Sequence, residues 1–215
     1  MIALSFQPLG DDDVGLSVKA VAERVGFPPD KIYIDRDSEA SAGAYFSGFP
    51  GVNMIVITTK LKELLSPIQL TSAVAHELGH WKRRHNRIEY FAMILRTGLF
   101  FGMCRKTYGN EGVLRIFGFT ETPHPMIPVY LSIYFFWPIV QDLFNGIHAI
   151  IQRSNEFSAD DFACDLGLAG ELRDSLLLMA ARTFSFPLFD TWCSAWYLGH
   201  PTILERVRRI SSRRR

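Results

Sequence analysis

Ser66-Pro67-Ile68-Gln69-Leu70 leads into Thr71-Ser72-Ala73-Val74-Ala75-His76-Glu77-Leu78-Gly79-His80, and the apolar spacing predicts a helix continuing to Arg87. Residues four apart lie one above the other on a helix face, so His76 and His80 can turn both imidazoles toward one metal ion. Glu77 sits about 100° round from His76, where it reaches a water beside the metal rather than the metal itself. Zinc polarises a carbonyl and makes water acidic, and Glu77 stands ready to take the proton. The pattern predicts metal-assisted hydrolysis. Gly79, a poor helix former, fits a helix against which something packs closely.

Two histidines leave a tetrahedral catalytic zinc site one protein ligand short. His85, Glu89, Glu111, Glu121, His124, His148 and Glu156 follow in the chain and could supply it. His85 and Glu89 continue the same helix, with Arg83 and Arg84 making their surroundings solvent-like. Glu156 is the better candidate. In Asn155-Glu156-Phe157-Ser158-Ala159-Asp160 it shares a helix face with Asp160, giving one carboxylate for the metal and a second for the other N–H of a ligating histidine. A solvated acidic face is the competing reading, but Ser158, Ala159 and Ala163 suit a helix packed tightly on another.

Across 215 residues, 23 Lys and Arg meet 22 Asp and Glu, and the formal net charge of +1 argues against a nucleic-acid binder. Hydrophobic residues at 48% exclude disorder as the main state. Cys104, Cys164 and Cys193 form no CxxC pair, so neither a disulfide framework nor a cysteine-rich zinc module is expected. Mean hydropathy is +0.09, high for a soluble domain. Two apolar segments account for it. Tyr90 to Cys104 carries Arg96 as its one charge, and Thr122 to Gln141 carries none. A bilayer-crossing helix needs about 20 apolar residues. Because His80 and Glu156 must meet at one ion, either both segments cross a membrane as a hairpin or neither does. Two buried core helices, the second kinked by Pro123, Pro125, Pro128 and Pro138, form the alternative. Lys82, Arg83, Arg84, Arg87, Arg153 and the arginines from Arg206 to Arg215 lie on the metal side, which favours a cytosolic face.

Elsewhere, Asp11 to Asp13 precede the periodic run Val14, Val18, Val21 and Val25, an amphipathic helix stopped by Gly26 and Pro28-Pro29. Lys31 to Asp35 reads as a strand. Ala44 to Phe46 and Asn53 to Thr58 flank a Pro50-Gly51 turn as a hairpin, and Leu61 to Leu65 as a short helix. Met1 to Gly10 lacks the basic start and apolar core of a signal peptide.

With these pieces in order and His200-Pro201-Thr202-Ile203-Leu204-Glu205-Arg206 following them, the chain resembles the type I CAAX prenyl endopeptidase family. These are integral-membrane zinc proteases related to the HtpX-type heat-shock proteases. The resemblance runs from about Ile32 to Arg209 and matches the C-terminal half of such a protein. It implies His76, His80 and Glu156 as zinc ligands, Glu77 as general base and Asp160 as the group orienting a ligand histidine. It also implies that His200 and Arg206 stabilise the oxyanion or position the site. Gly43, Ala44 and Tyr45 would lie on an edge strand along which substrate backbone docks by β-augmentation. The family usually shows Asn-Ala-Tyr there after a basic run, whereas this chain has Gly43 after the acidic Asp35-Arg36-Asp37-Ser38-Glu39.

The expected architecture is mainly α, with zincin-like metal-site helices, a small β-hairpin and a two-helix membrane hairpin. Residues 1–89 would hold the N-terminal helix, hairpin and HExxH helix. Residues 90–152 would form the membrane hairpin, and 153–215 would complete the protease domain with the third ligand and a basic tail. The implied activity is a zinc-dependent metalloendopeptidase hydrolysing peptide bonds at the C-terminus of prenylated CAAX proteins. It would sit in the endoplasmic reticulum membrane, with lipid and the prenylated substrate as partners and no nucleic acid. An HtpX-like quality-control protease and a truncated inactive fragment are the alternatives.

Overall fold

A computed structural model describes residues 6–36, 42–49, 52–121, 124–183 and 190–213. Four strands form a mixed sheet in the order β1 (Phe6–Pro8), β2 (Ile32–Asp35), β4 (Val52–Thr58), β3 (Ala44–Phe49). The expected hairpin is the antiparallel pair β3–β4, with Tyr45 opposite Val56; its Pro50-Gly51 turn lies outside the described residues, as do Asp37 to Glu39. It does not stand alone. Strand β2 pairs parallel to β4 and antiparallel to β1, so β4 is central and β3 is left as an edge.

Helix α1 (Asp13–Val25) starts where the Asp12 side chain accepts from the Gly15 amide, and ends at Gly26, whose φ of +84° suits a residue without Cβ. A short helix α2 (Thr59–Leu64) follows β4 and leads to α3 (Pro67–Lys82), which carries the HExxH run. Val18, Ala22, Phe27, Ile32, Ile55, Ile57, Leu70, Val74 and Leu78 join α1, the sheet and one side of α3 in the main core. Ala75 opens a second cluster with Ala163, Leu172, Leu176 and Ile210 on the other side. Helix α3 is therefore buried from two directions, which its small residues and Gly79 permit.

The helix does not continue to Arg87. It ends at Lys82, Arg84 takes φ +59°, and α4 (His85–Tyr108) begins afresh. A positive φ on a non-glycine residue breaks the helical path, so His85 and Glu89 belong to a new helix with its own direction. After α5 (Glu111–Ile116), α6 (Met126–Leu131), a π-helical turn (Ser132–Phe136) and α7 (Trp137–Asp165) run on as one apolar helix, Met126–Asp165. It packs back along α4, with Phe100 against Trp137 at 5.1 Å between ring centroids. Pro138 does not interrupt it. A proline lacks the donor for the turn before it and crowds the carbonyl four residues back; the widened π turn ahead of Pro138 accommodates both.

Three further helices close the far side: α8 (Ala169–Thr183), α9 (Thr191–Tyr197) and α10 (Ile203–Arg213). The fold is mainly helical, with a small mixed sheet and one long apolar helix.

Candidate metal centre

Helices α3 and α7 cross so closely at Gly79 that a Cβ there would lie 3.0 Å from the Ala159 Cα. This approach brings the carboxylate of Glu156 to the two imidazoles. His76 Nε2 lies 3.5 Å from Glu156 Oε2, His80 Nε2 lies 3.3 Å from Oε1, and the two Nε2 atoms are 3.1 Å apart. One ligand atom from each residue falls within 4.8 Å of the other two. Two imidazole nitrogens and a carboxylate facing one another repel unless a proton or a cation sits among them. This nitrogen and oxygen set suits zinc, so the residues present fit the metal.

Behind the three lies a layer of partners. His76 Nδ1 is 2.9 Å from Asp160 Oδ1. Asp160, fully buried, accepts twice from Arg206, at 2.8 Å from Nε and 2.6 Å from Nη2. Arg206 also lies 3.5 Å from Glu156 Oε2. Burial pushes the Asp160 carboxyl up, but Arg206 and His76 outweigh it and hold it low. Burial and the Arg206 charge push His76 down; its bonds to Asp160 and Glu156 prevail and raise it to about 9. Glu156 is driven the opposite way to its burial, held far down by His200, His76 and His80.

Glu77 points to the other side of the imidazoles. Its Oε2 accepts from the Phe46 amide at 2.9 Å, and burial raises its pKa against the charges of His76 and His80. Between β3 and helices α3, α4 and α7 opens a cleft of about 480 Å³, lined by Ala44, Phe46, Glu77, His80, Glu156 and His200 among others. His200 is exposed, yet its Nδ1 lies 3.2 Å from Glu156 Oε1, and that bond raises its pKa.

Of the strand residues, Ala44, Phe46 and Gly48 turn their backbones away from β4, with the Phe46 amide held by Glu77 and the Gly48 carbonyl by α4. Gly43 faces the opposite way: its amide and carbonyl both bond Thr58. Tyr45 shares that inward backbone direction, and the residue is 43% exposed. Of the other candidates for the third ligand, His85 meets His80 at Nδ1 rather than at Nε2, and the rest stand outside the group of ligand atoms. Glu89 and His148 pair with each other at 2.9 Å, Glu111 pairs with Arg115, and Glu121 and His124 are exposed.

His85, weighed in the sequence only as a third ligand, and two further groups make contacts at the site that the sequence does not predict. His85 Nδ1 lies 2.9 Å from His80 Nδ1, and burial and the charges of His80 and Arg83 push His85 down to about 4. Asn86 and Tyr90 both donate to the Gly48 carbonyl, at 3.0 and 2.6 Å, pinning the end of β3 to the start of α4. Glu205 accepts from Arg153 at 2.7 Å and from the Thr202 amide at 2.8 Å, fixing the segment after His200. Only the position of Glu205 within the run His200 to Arg206 hinted at the last.

The pattern of peptidase family M48 matches residues 8–214. CAAX prenyl protease 1 of Saccharomyces cerevisiae is 30% identical over 94% of the chain and 48% of its own length. The CAAX prenyl protease 1 homolog of Homo sapiens is 24% identical over 96% of the chain and 52% of its own length. The crystal structure of Ste24p from S. mikatae superposes with a TM-score of 0.81 at 27% identity, over 95% of this chain and 51% of that one. The chain spans about half the length of the curated relatives it matches. It belongs to peptidase family M48.

Proposed function

We propose that this member of peptidase family M48 is a zinc metalloendopeptidase that hydrolyses peptide bonds at the C-terminus of prenylated CAAX proteins. The observation that carries the reading is the convergence of His76, His80 and Glu156 beside Glu77, in a cleft walled by a sheet edge. The names of its relatives supply the substrate class. Zinc, when bound by the three ligands, supplies a Lewis acid and makes water acidic near neutral pH.

The chain's own groups do the rest. Glu77 takes the proton from the attacking water at its carboxylate and hands it to the leaving amine; its raised pKa suits both steps. The outward backbone of Ala44 and the Phe46 carbonyl align an extended peptide by strand addition, while the Phe46 amide stays on Glu77. His200, exposed above Glu156, donates to the developing oxyanion. Asp160, fixed by Arg206, holds His76 with Nε2 toward the ligand position.

Residues 90–152 form a two-helix membrane hairpin within a zincin-like protease domain made by 1–89 and 153–215. Phe91, Ile94, Phe101, Ile139, Leu143 and Ile147 all face outward. Only 17% of the most apolar window of Met126–Asp165 is buried. So large an apolar surface suits lipid rather than water. Lys82, Arg83 and Arg84 lie at the metal end, which favours a cytosolic face, at the endoplasmic reticulum membrane.

The test is cleavage of a farnesylated CAAX peptide by the chain in lipid vesicles, before and after chelation and with zinc restored. Zinc-dependent cleavage that Glu77→Gln abolishes is the expected result. Turnover of unfolded, unprenylated chains with none of the CAAX peptide would assign a quality-control protease instead. Bound zinc with no cleavage of either would overturn the enzymatic reading.

A further inference from the structure

We propose that His85 is a positioning residue that fixes His80 in the tautomer the metal centre needs, accepting its hydrogen bond as a neutral imidazole. The inference deepens the metal-centre reading and rests on it. His80 Nε2 faces His76 Nε2 at 3.1 Å and Glu156 Oε1 at 3.3 Å, so Nε2 is the nitrogen offered to the metal. A ligating nitrogen carries no proton, and a neutral His80 must then keep its proton on Nδ1. That Nδ1 lies 2.9 Å from His85 Nδ1. Two ring nitrogens at this distance share one proton, donor on one side and acceptor on the other. His80 holds the donor, so His85 Nδ1 is the acceptor and its own proton sits on Nε2.

The break between α3 and α4 makes this contact. On a continuous helix, residues five apart are separated by about 140° and their side chains cannot meet. Here α3 stops at Lys82, Arg84 adopts φ +59°, and the chain turns His85 back over His80. The rings meet edge to face, with centroids 4.9 Å apart and planes at 79°. His85 is 7% exposed, so the contact is enclosed.

The two metal-site histidines are thus held by different chemistry. His76 leans on the Asp160 carboxylate, itself fixed by Arg206. Among the described residues, no carboxylate is within hydrogen-bond reach of His80 Nδ1; Glu77 is turned to Phe46 and Glu89 to His148. A neutral acceptor orients His80 without setting another anion beside Glu156.

Nitrogen–nitrogen coupling through the hydrogen bond, measured on the isotope-labelled, zinc-loaded full chain, tests the tautomer. Coupling between the two Nδ1 atoms with the proton on His80 is expected; a proton on His85 Nδ1, or no coupling, overturns the proposal. Zinc affinity, measured by competition with a chromophoric chelator at one pH, tests the role. His85→Leu should weaken it by roughly 10- to 100-fold. His85→Gln, whose carbonyl can accept the same bond, should restore most of it. Unchanged affinity in His85→Leu, or equal losses in both variants, would overturn the proposal. A parent chain that takes up no zinc would overturn the metal-centre reading itself, and this inference with it. If both variants unfold by circular dichroism, the coupling in the parent decides.

Discussion

The Phe46 amide donates to Glu77 Oε2 across 2.9 Å, so a single bond joins the outer edge of the sheet to the carboxylate beside the metal-site histidines. Strand β3 and helix α3 are 31 residues apart in sequence at this contact. The bond orients Glu77 and, with burial opposing it, helps decide how readily the carboxylate holds a proton.

Glu77→Gln separates that orienting contact from proton transfer. The amide oxygen can still accept from Phe46, and neither imidazole loses a partner. Zinc content and thermal stability should stay within error of the parent, while kcat falls by roughly 10²- to 10⁴-fold. Metal analysis and peptide cleavage on the same preparations check this. Undiminished turnover would remove Glu77 from the chemistry.

Removing Arg206 should act on the fold as well as the site. Arg206→Leu leaves the fully buried Asp160 without its two guanidinium bonds. Breaking a buried pair by deleting one partner costs about 3–5 kcal/mol, so the thermal midpoint should drop markedly. Adding Asp160→Asn removes the stranded charge and should recover part of the loss. A midpoint unmoved in Arg206→Leu would mean that solvent or a neighbour replaces the guanidinium.

What the sequence could reveal about this site was the part written as chemistry at fixed spacing. His76 and His80 are one turn apart, and Glu156 and Asp160 are one turn apart, so two helices with those faces opposed suffice to describe a metal centre. The β3–β4 pair was legible for the same reason, through alternation and turn residues. Strand β1 was not: Phe6-Gln7-Pro8 is too short to show a period, and its pairing with β2 is decided by tertiary packing. The turn at Arg84 was equally hidden, because Lys82-Arg83-Arg84-His85-Asn86 contains neither glycine nor proline to mark a positive φ. That concealed the contact of His85 with His80. The tie between Asn86, Tyr90 and Gly48 depends on the same break and stayed out of reach with it.

The protonation of His76 makes metal uptake pH-dependent. In the metal-free chain its pKa is raised to about 9, above the ordinary value near 6.5. A raised pKa contributes stability that is fully present below about 6.5 and is lost as pH rises through about 9. Asp160 is shifted the other way, and its contribution is present above about 4 and lost as pH falls. Apo stability should therefore be greatest in the mildly acidic range between those limits. Zinc must displace the His76 proton, so affinity should rise with pH toward about 9. Titration calorimetry in buffers of different ionisation enthalpy should register proton release at pH 7. No release would mean that His76 is already neutral there.

Gly79→Ala tests the helix crossing. Two effects oppose each other. Replacing glycine inside a helix favours the helix by about 1 kcal/mol. Against this, the new Cβ would lie 3.0 Å from the Ala159 Cα, 3.1 Å from its carbonyl oxygen and 3.1 Å from the Phe162 Cβ. Two of those atoms are backbone in the middle of α7 and cannot swing aside, so the helices must separate. Overpacking of this kind costs about 1–3 kcal/mol, and the net effect should be destabilising. The displacement matters more at the site, because Ala159 is three residues from Glu156 on the helix that carries it. Zinc affinity should fall by more than thermal stability alone would predict. A variant that melts at the parent temperature and binds zinc equally well would show that α7 can shift without moving Glu156 away from the imidazoles.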